Sequence, residues 1–352
     1  MESELSAAQR FISAMTGDYV DYIPPGGGLI SITADMIAAA GASWPKANQD
    51  AQMMAKLAAM PLELAGIEGA TLPFDISLEA EALGATLDWA KPDRPPVKNH
   101  FVTDPDDLVL PENIEACGRI QVVLDAIEIL KEKYADDLAI VPTTVAPFTI
   151  AGHLAGVENL FMWILESPEK VRALVDKITT FVIGYQELLA EYGADVMFQV
   201  DPTSSGDMLS GDMFKEFVLP SHEALAKSSP VPRVTHICGN TKPMLQHIRN
   251  SGVDGFSFDT AVPVWYAKSI LGDCVRTYGN LDVIELIPRK TPAEIYAATQ
   301  ECIRQGVNAV GTACDIPEAT PLENVKAIVQ ACKETPVPTK KEVREYNAQF
   351  KK

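Results

Sequence analysis

The sequence predicts an α/β fold, a single (β/α)8 TIM barrel with an N-terminal helical extension. Three observations carry that prediction. Short apolar strand-like segments alternate with amphipathic helices. The segments number eight, the count that closes a parallel barrel. Polar, metal-capable side chains recur at the segment ends, where a barrel places its active site.

In chain order, residues 1–20 form the helical extension; their early acids and lack of a long apolar core are unlike a secretory signal. Segment 19–31 is the first strand candidate, interrupted by Pro24, Pro25 and three glycines, with PPGGG at 24–28 as a turn. Segment 69–74 is the second. The polar, proline-containing stretch 91–112 links this early excursion to the later barrel. Six clearer strands follow: 139–145, 194–200, 233–238, 254–258, 275–280 and 308–313. Helical stretches separate them; 158–191, for example, carries Leu160, Phe161, Ile164, Val171, Leu174, Val175 and Ile178 at three- and four-residue spacing. With no internal repeat and no domain boundary, 1–352 is expected to be one barrel domain.

Composition narrows the class. At 47% hydrophobic over 352 residues the chain has enough apolar material for a large core. It lacks the run of about 18 apolar residues that a membrane span needs. The net charge of −19 disfavours nucleic acid and anionic membranes as partners. Six scattered cysteines without secretory context imply a reducing cytoplasm, and metal binding or burial rather than disulfides.

The chemistry concentrates in THICGN, 235–240. Period-two alternation places His236 and Cys238 on one face with Ile237 on the other. An imidazole and a thiolate make half of a tetrahedral zinc site, and Cys314, ending the last strand, reaches the same mouth in a closed barrel. Three such ligands with one replaceable position match a catalytic zinc, and Asp259 is a candidate weak fourth ligand. Asp201, at the end of strand 194–200 beside Ser204 and Ser205, is placed to bond the edge of a bound cofactor or a zinc-ligand histidine; the alternative is a turn-forming Asp before proline. Cys117, Cys274, Cys302 and Cys332 are expected to pack in the core, as is His153, while His100, His222 and His247 are expected on the surface or on helices.

THICGN, GFSFDT and GTACDIPEATPLENVKAIV (311–329) resemble the uroporphyrinogen decarboxylase superfamily, and within it the methylcobamide:coenzyme M methyltransferases. AQRFISAMTGDYVDYIP, LPFDISLEAEALGATLDW (72–89) and APFTIAGHL (146–154) extend the resemblance over nearly the whole chain. It implies zinc on His236, Cys238 and Cys314, a small thiol acceptor such as coenzyme M, and a methylated corrinoid protein as donor. The zinc motif reports a thiol and not its tail, so homocysteine or a folate stays open as acceptor. The rival within the superfamily is decarboxylation, in which an aspartate matching Asp75 grips a tetrapyrrole. Here the early stretch 23–37 contains no arginine to hold a polycarboxylate, and His153 and Cys314 stand where those enzymes have tyrosine and histidine. Asp75 then either contacts the corrinoid or caps a turn.

Overall fold

The computed structural model describes residues 5–91 and 93–351. Residues 1–4 of the expected extension and residue 92 of the connecting stretch lie outside the described residues.

The strands close into a ring. β1 (Gly69–Ala70) pairs in parallel with β2 (Ala139–Ile140). β3 (Thr143–Val145) continues that stretch and pairs with β4 (Met197–Val200). β5 (Arg233–Ile237), β6 (Gly255–Phe258) and β7 (Arg276–Tyr278) follow, each parallel to its predecessor. Single bridges then carry the ring from Tyr278 to Ala309 and from Val310 to Pro25. The Glu68 N–H, donating to the Pro25 carbonyl at 3.3 Å, joins the first stave to the second. Counting β2 and β3 as one stave gives the eight of a (β/α)8 barrel.

Two staves are thinner than expected. Segment 19–31 contributes one bridge, at Pro25, because prolines lack the N–H a ladder needs. Segment 308–313 pairs only through isolated bridges. The stretch 158–191 is two helices, Val157–Glu166 and Pro168–Glu191, parted at Ser167, with Pro168 at the first position of the second. No single helix among the described residues is long and apolar enough to cross a membrane.

Helix Ala7–Thr16 lies against the N-terminal ends of the strands. Its Thr16 carbonyl accepts from Arg276, the first residue of β7, and Phe11 meets Tyr278 edge-on at 6.3 Å. Arg10, 2% exposed, ties the helix to the staves through Asp21 at 2.6 Å and Glu68 at 2.7 Å. Breaking such a buried pair costs about 3–5 kcal/mol. With this end covered, the C-terminal end is left for the site.

The barrel interior is filled by aromatic rings. Phe198 packs edge-on against Tyr278 at 5.5 Å, and the Tyr278 hydroxyl donates to the Gly27 carbonyl. Gly28 sits beside these rings at φ +106°, and a β-carbon there would overlap Phe198. Gly28→Ala therefore combines left-handed strain with overpacking, and should destabilise the fold by about 2–4 kcal/mol. The denaturation midpoint checks this; a shift equivalent to less than about 0.5 kcal/mol, as for a neutral surface change, would contradict it.

Candidate metal centre

Strand register builds the site. His236 on β5 is the direct partner of Ser257 on β6, so both side chains point into the barrel. Nδ1 of His236 is hydrogen-bonded to Ser257 Oγ at 2.9 Å. That bond turns Nε2 toward the thiols, 3.1 Å from Cys238 Sγ. On one flank the imidazole stacks on Phe198, with centroids 6.2 Å apart. Cys238 follows β5 directly, with the parity of His236, and its Sγ lies 3.8 Å from that of Cys314. This is far beyond the roughly 2.05 Å of a disulfide. The three ligand atoms all lie within 4.8 Å of one another, a group able to hold a metal ion.

The two thiols behave as one acid. Cys314 is pulled below the usual thiol range by its hydrogen bond with Cys238 and then by His236. Cys238 is pushed up by the same hydrogen bond and then by burial. Neighbouring thiols oppose each other's ionisation, and a cation between the sulfurs would favour both thiolates.

The loop after Cys238 is braced from β4's side. Gly239 has a left-handed φ of +72°, Asn240 N donates to Asp207 Oδ2 at 3.0 Å, and Ser205 Oγ donates to the same oxygen at 3.3 Å. Ser205, expected at a cofactor, thus supports the Cys238 loop, and Ser204 is buried with its hydroxyl on the Asp201 carbonyl.

Other expected site residues are drawn elsewhere. Asp201 is fully buried, accepting from Thr149 Oγ1 at 2.6 Å and from His222 Nε2 at 2.9 Å. The histidine it touches is therefore not His236. His222 is on helix Leu219–Ser228 but is buried, not at the surface, and burial lowers its pKa. Asp259 is not part of the ligand-atom group; its Oδ1 accepts from Ala261 N at 2.9 Å and Thr260 Oγ1 at 3.2 Å. Asp75 caps a turn, accepting from Ser77 N and Oγ, and pairs through both oxygens with Arg119 at 2.8 and 3.1 Å. Of the remaining cysteines, Cys302 and Cys332 are buried in the core and Cys117 is half-buried against it, as expected, whereas Cys274 is exposed, against the expectation of core packing. His153 is half-buried; burial first, then His100, lowers its pKa to about 4, so it is neutral at pH 7.

Ser257 and Asp207 are site residues that the sequence reading does not single out. Ser257 had a signal, a lone hydroxyl between Phe256 and Phe258 on the strand beside the H-x-C segment. Asp207 had none, because its role depends on two loops meeting.

The family profile described as uroporphyrinogen decarboxylase (URO-D) matches residues 6–335. The chain belongs to the uroporphyrinogen decarboxylase family. Among family relatives, a methylated-thiol–coenzyme M methyltransferase of Methanosarcina mazei is 49% identical, over 96% of this chain and 92% of that protein. A methylcobamide:CoM methyltransferase of Methanosarcina acetivorans is 31% identical, over 94% of this chain and 98% of its own length. A solved structure, a methyltransferase from Methanosarcina mazei, superposes with a TM-score of 0.91 at 31% identity, covering 94% of this chain and 99% of its own. That likeness covers the barrel on which His236, Cys238 and Cys314 are carried.

If Ser257 fixes the ring for metal binding, Ser257→Ala should keep the fold and weaken metal affinity about 10–100-fold. Competition with a chromophoric chelator measures this. Unchanged affinity would remove Ser257 from the centre.

Proposed function

We propose that this chain transfers a methyl group from a methylated corrinoid, carried by a corrinoid protein, to a thiol acceptor, coenzyme M, at a zinc ion held by His236, Cys238 and Cys314. The observation that carries the reading is the triad itself. The Sγ–Sγ separation of 3.8 Å equals the edge of about 3.8 Å that two sulfurs span around tetrahedral zinc at roughly 2.3 Å each. One imidazole and two thiolates leave a position for a substrate, as catalytic zinc sites do. Bound there, zinc holds the acceptor as a thiolate with electron density on sulfur.

The residues of the chain then have separable tasks. Ser257 holds the His236 ring through Nδ1 and leaves Nε2 facing the thiols as the ligand atom. The two cysteines supply negative charge, which keeps the acceptor sulfur nucleophilic. Phe198 and Tyr278 close the floor beneath the site to water. The acceptor sulfur forms its bond to the methyl carbon as the carbon–cobalt bond breaks, with that electron pair staying on cobalt and the thiol proton passing to solvent.

Decarboxylation is the weaker reading. Asp75 has both oxygens engaged by Arg119 and Ser77, which leaves little to grip pyrrole N–H groups. A second reading concerns the methyl source. The 49%-identical relative is named for a methylated thiol, which favours methylated thiols as additional donors.

Anaerobic incubation of zinc-supplemented protein with methylcobalamin and a thiol panel, reading cob(I)alamin by absorbance, tests the reading. Thiol-dependent cob(I)alamin is expected, lost together with zinc in Cys314→Ala. A parallel arm supplies dimethyl sulfide and coenzyme M without methylcobalamin, and methyl-coenzyme M formed there supports the second donor class. Loss of carboxylates from uroporphyrinogen, with no thiol methylation, would contradict the proposal.

A further inference from the structure

A small thiol with an anionic tail needs a cation within reach of the metal, and the chain is strongly acidic overall. Arg94 is in the right place. Its Nη1 donates to Asp315 Oδ2 at 2.9 Å, and Asp315 directly follows Cys314. Asp315 is itself anchored, since its Oδ1 accepts from Ile30 N at 2.9 Å. The guanidinium also lies over the Trp44 ring, 5.9 Å from its centroid. Trp44 is held by its indole N–H donating to Glu318 Oε1 at 2.7 Å and by edge contact with Phe74. Arg94 is thus fixed on two sides yet 28% exposed.

The next arginine along the chain is committed. Arg119 is buried and bonded to Asp75, Glu81 and the Asn48 carbonyl. Among the described residues, no other lysine or arginine side chain bonds a residue directly flanking a metal ligand. The bond to Asp315 occupies Nη1 of Arg94, and the Nε–Nη2 edge has no partner among the described residues. Such an edge takes an oxyanion through two parallel hydrogen bonds.

We propose that Arg94 is the subsite for the anionic tail of the acceptor thiol, selecting a short thiol that ends in a sulfonate or similar oxyanion. The inference rests on the thiol-acceptor reading above. Arg94 is bonded to the residue that directly follows Cys314, which calls for a short spacer between sulfur and oxyanion. Asp315 sets the guanidinium's orientation, so it is a positioning residue, and Trp44 supplies the wall against which the tail lies.

Calorimetry on the zinc-loaded protein tests this with 2-mercaptoethanesulfonate and the neutral 2-mercaptoethanol, which shares its thiol and spacer. The wild type should bind the sulfonate at least about tenfold more tightly. Arg94→Gln should erase that preference, leaving 2-mercaptoethanol affinity and zinc content unchanged, and Arg94→Lys should keep part of it through charge alone. A preference that survives Arg94→Gln, an equal loss for both thiols at full zinc content, or a wild type without preference would each overturn the subsite. Sulfonate selectivity lost in Arg94→Gln, without methyl transfer by the wild type, would keep the subsite and sink the methyltransferase reading. Methyl transfer to both thiols without selectivity would do the reverse.

Discussion

Closure of the ring between Val310 and Pro25 is the constraint on which the site depends. Cys314 follows the stave that makes this bridge, whereas His236 and Cys238 come from the stave three places earlier in the chain. Only a closed barrel brings those strand ends to one mouth, and only there do two sulfurs from distant segments come within 3.8 Å. Closure is supported from the opposite end. Arg10 clamps Asp21 and Glu68 beside the first two staves, and the Tyr278 hydroxyl reaches across the interior to Gly27. Residues far from the His236, Cys238 and Cys314 group therefore determine its geometry.

Register then decides which side chains enter the site. Val200 on β4 pairs with His236 on β5, and His236 with Ser257 on β6, so these three share the inner face. Asp201 is one residue beyond Val200 and points the other way, into the helical layer, where Thr149 and His222 receive it. A strand end written V-D-P-T-S-S does not state its register, so sequence reasoning placed Asp201 at the mouth. His236 and Cys238 were legible because two residues at period two need only each other as reference. Cys314 was legible because ring closure follows from the stave count. Asp259 has the parity to face inward, but β6 ends at Phe258, and the carboxylate turns back to cap its own loop.

The barrel was legible for the same reason the thin staves were not. Alternating apolar segments and helices specify a parallel ring, but how many ladder bonds a stave makes depends on local chemistry. Pro24 and Pro25 remove two donors from the first stave, and the three glycines after them adopt positive φ. One of these, Gly28, lets the backbone pass against Phe198, which in turn lies flat on the metal-site histidine. What looks like a turn in sequence is thus part of the packing beneath the site.

The family's two chemistries differ here in what the mouth offers a substrate. Asp75 is paired with Arg119 and spent on a turn, while the strand ends present two thiols and an imidazole within 4.8 Å of one another. The central claim is that this triad is an open zinc site, and zinc K-edge X-ray absorption before and after adding coenzyme M tests it most directly. The account predicts a shell of one nitrogen, two sulfurs and one exchangeable light atom, gaining a third sulfur when the thiol is added. A protein that takes up no zinc, or a shell unchanged by the thiol, would contradict it.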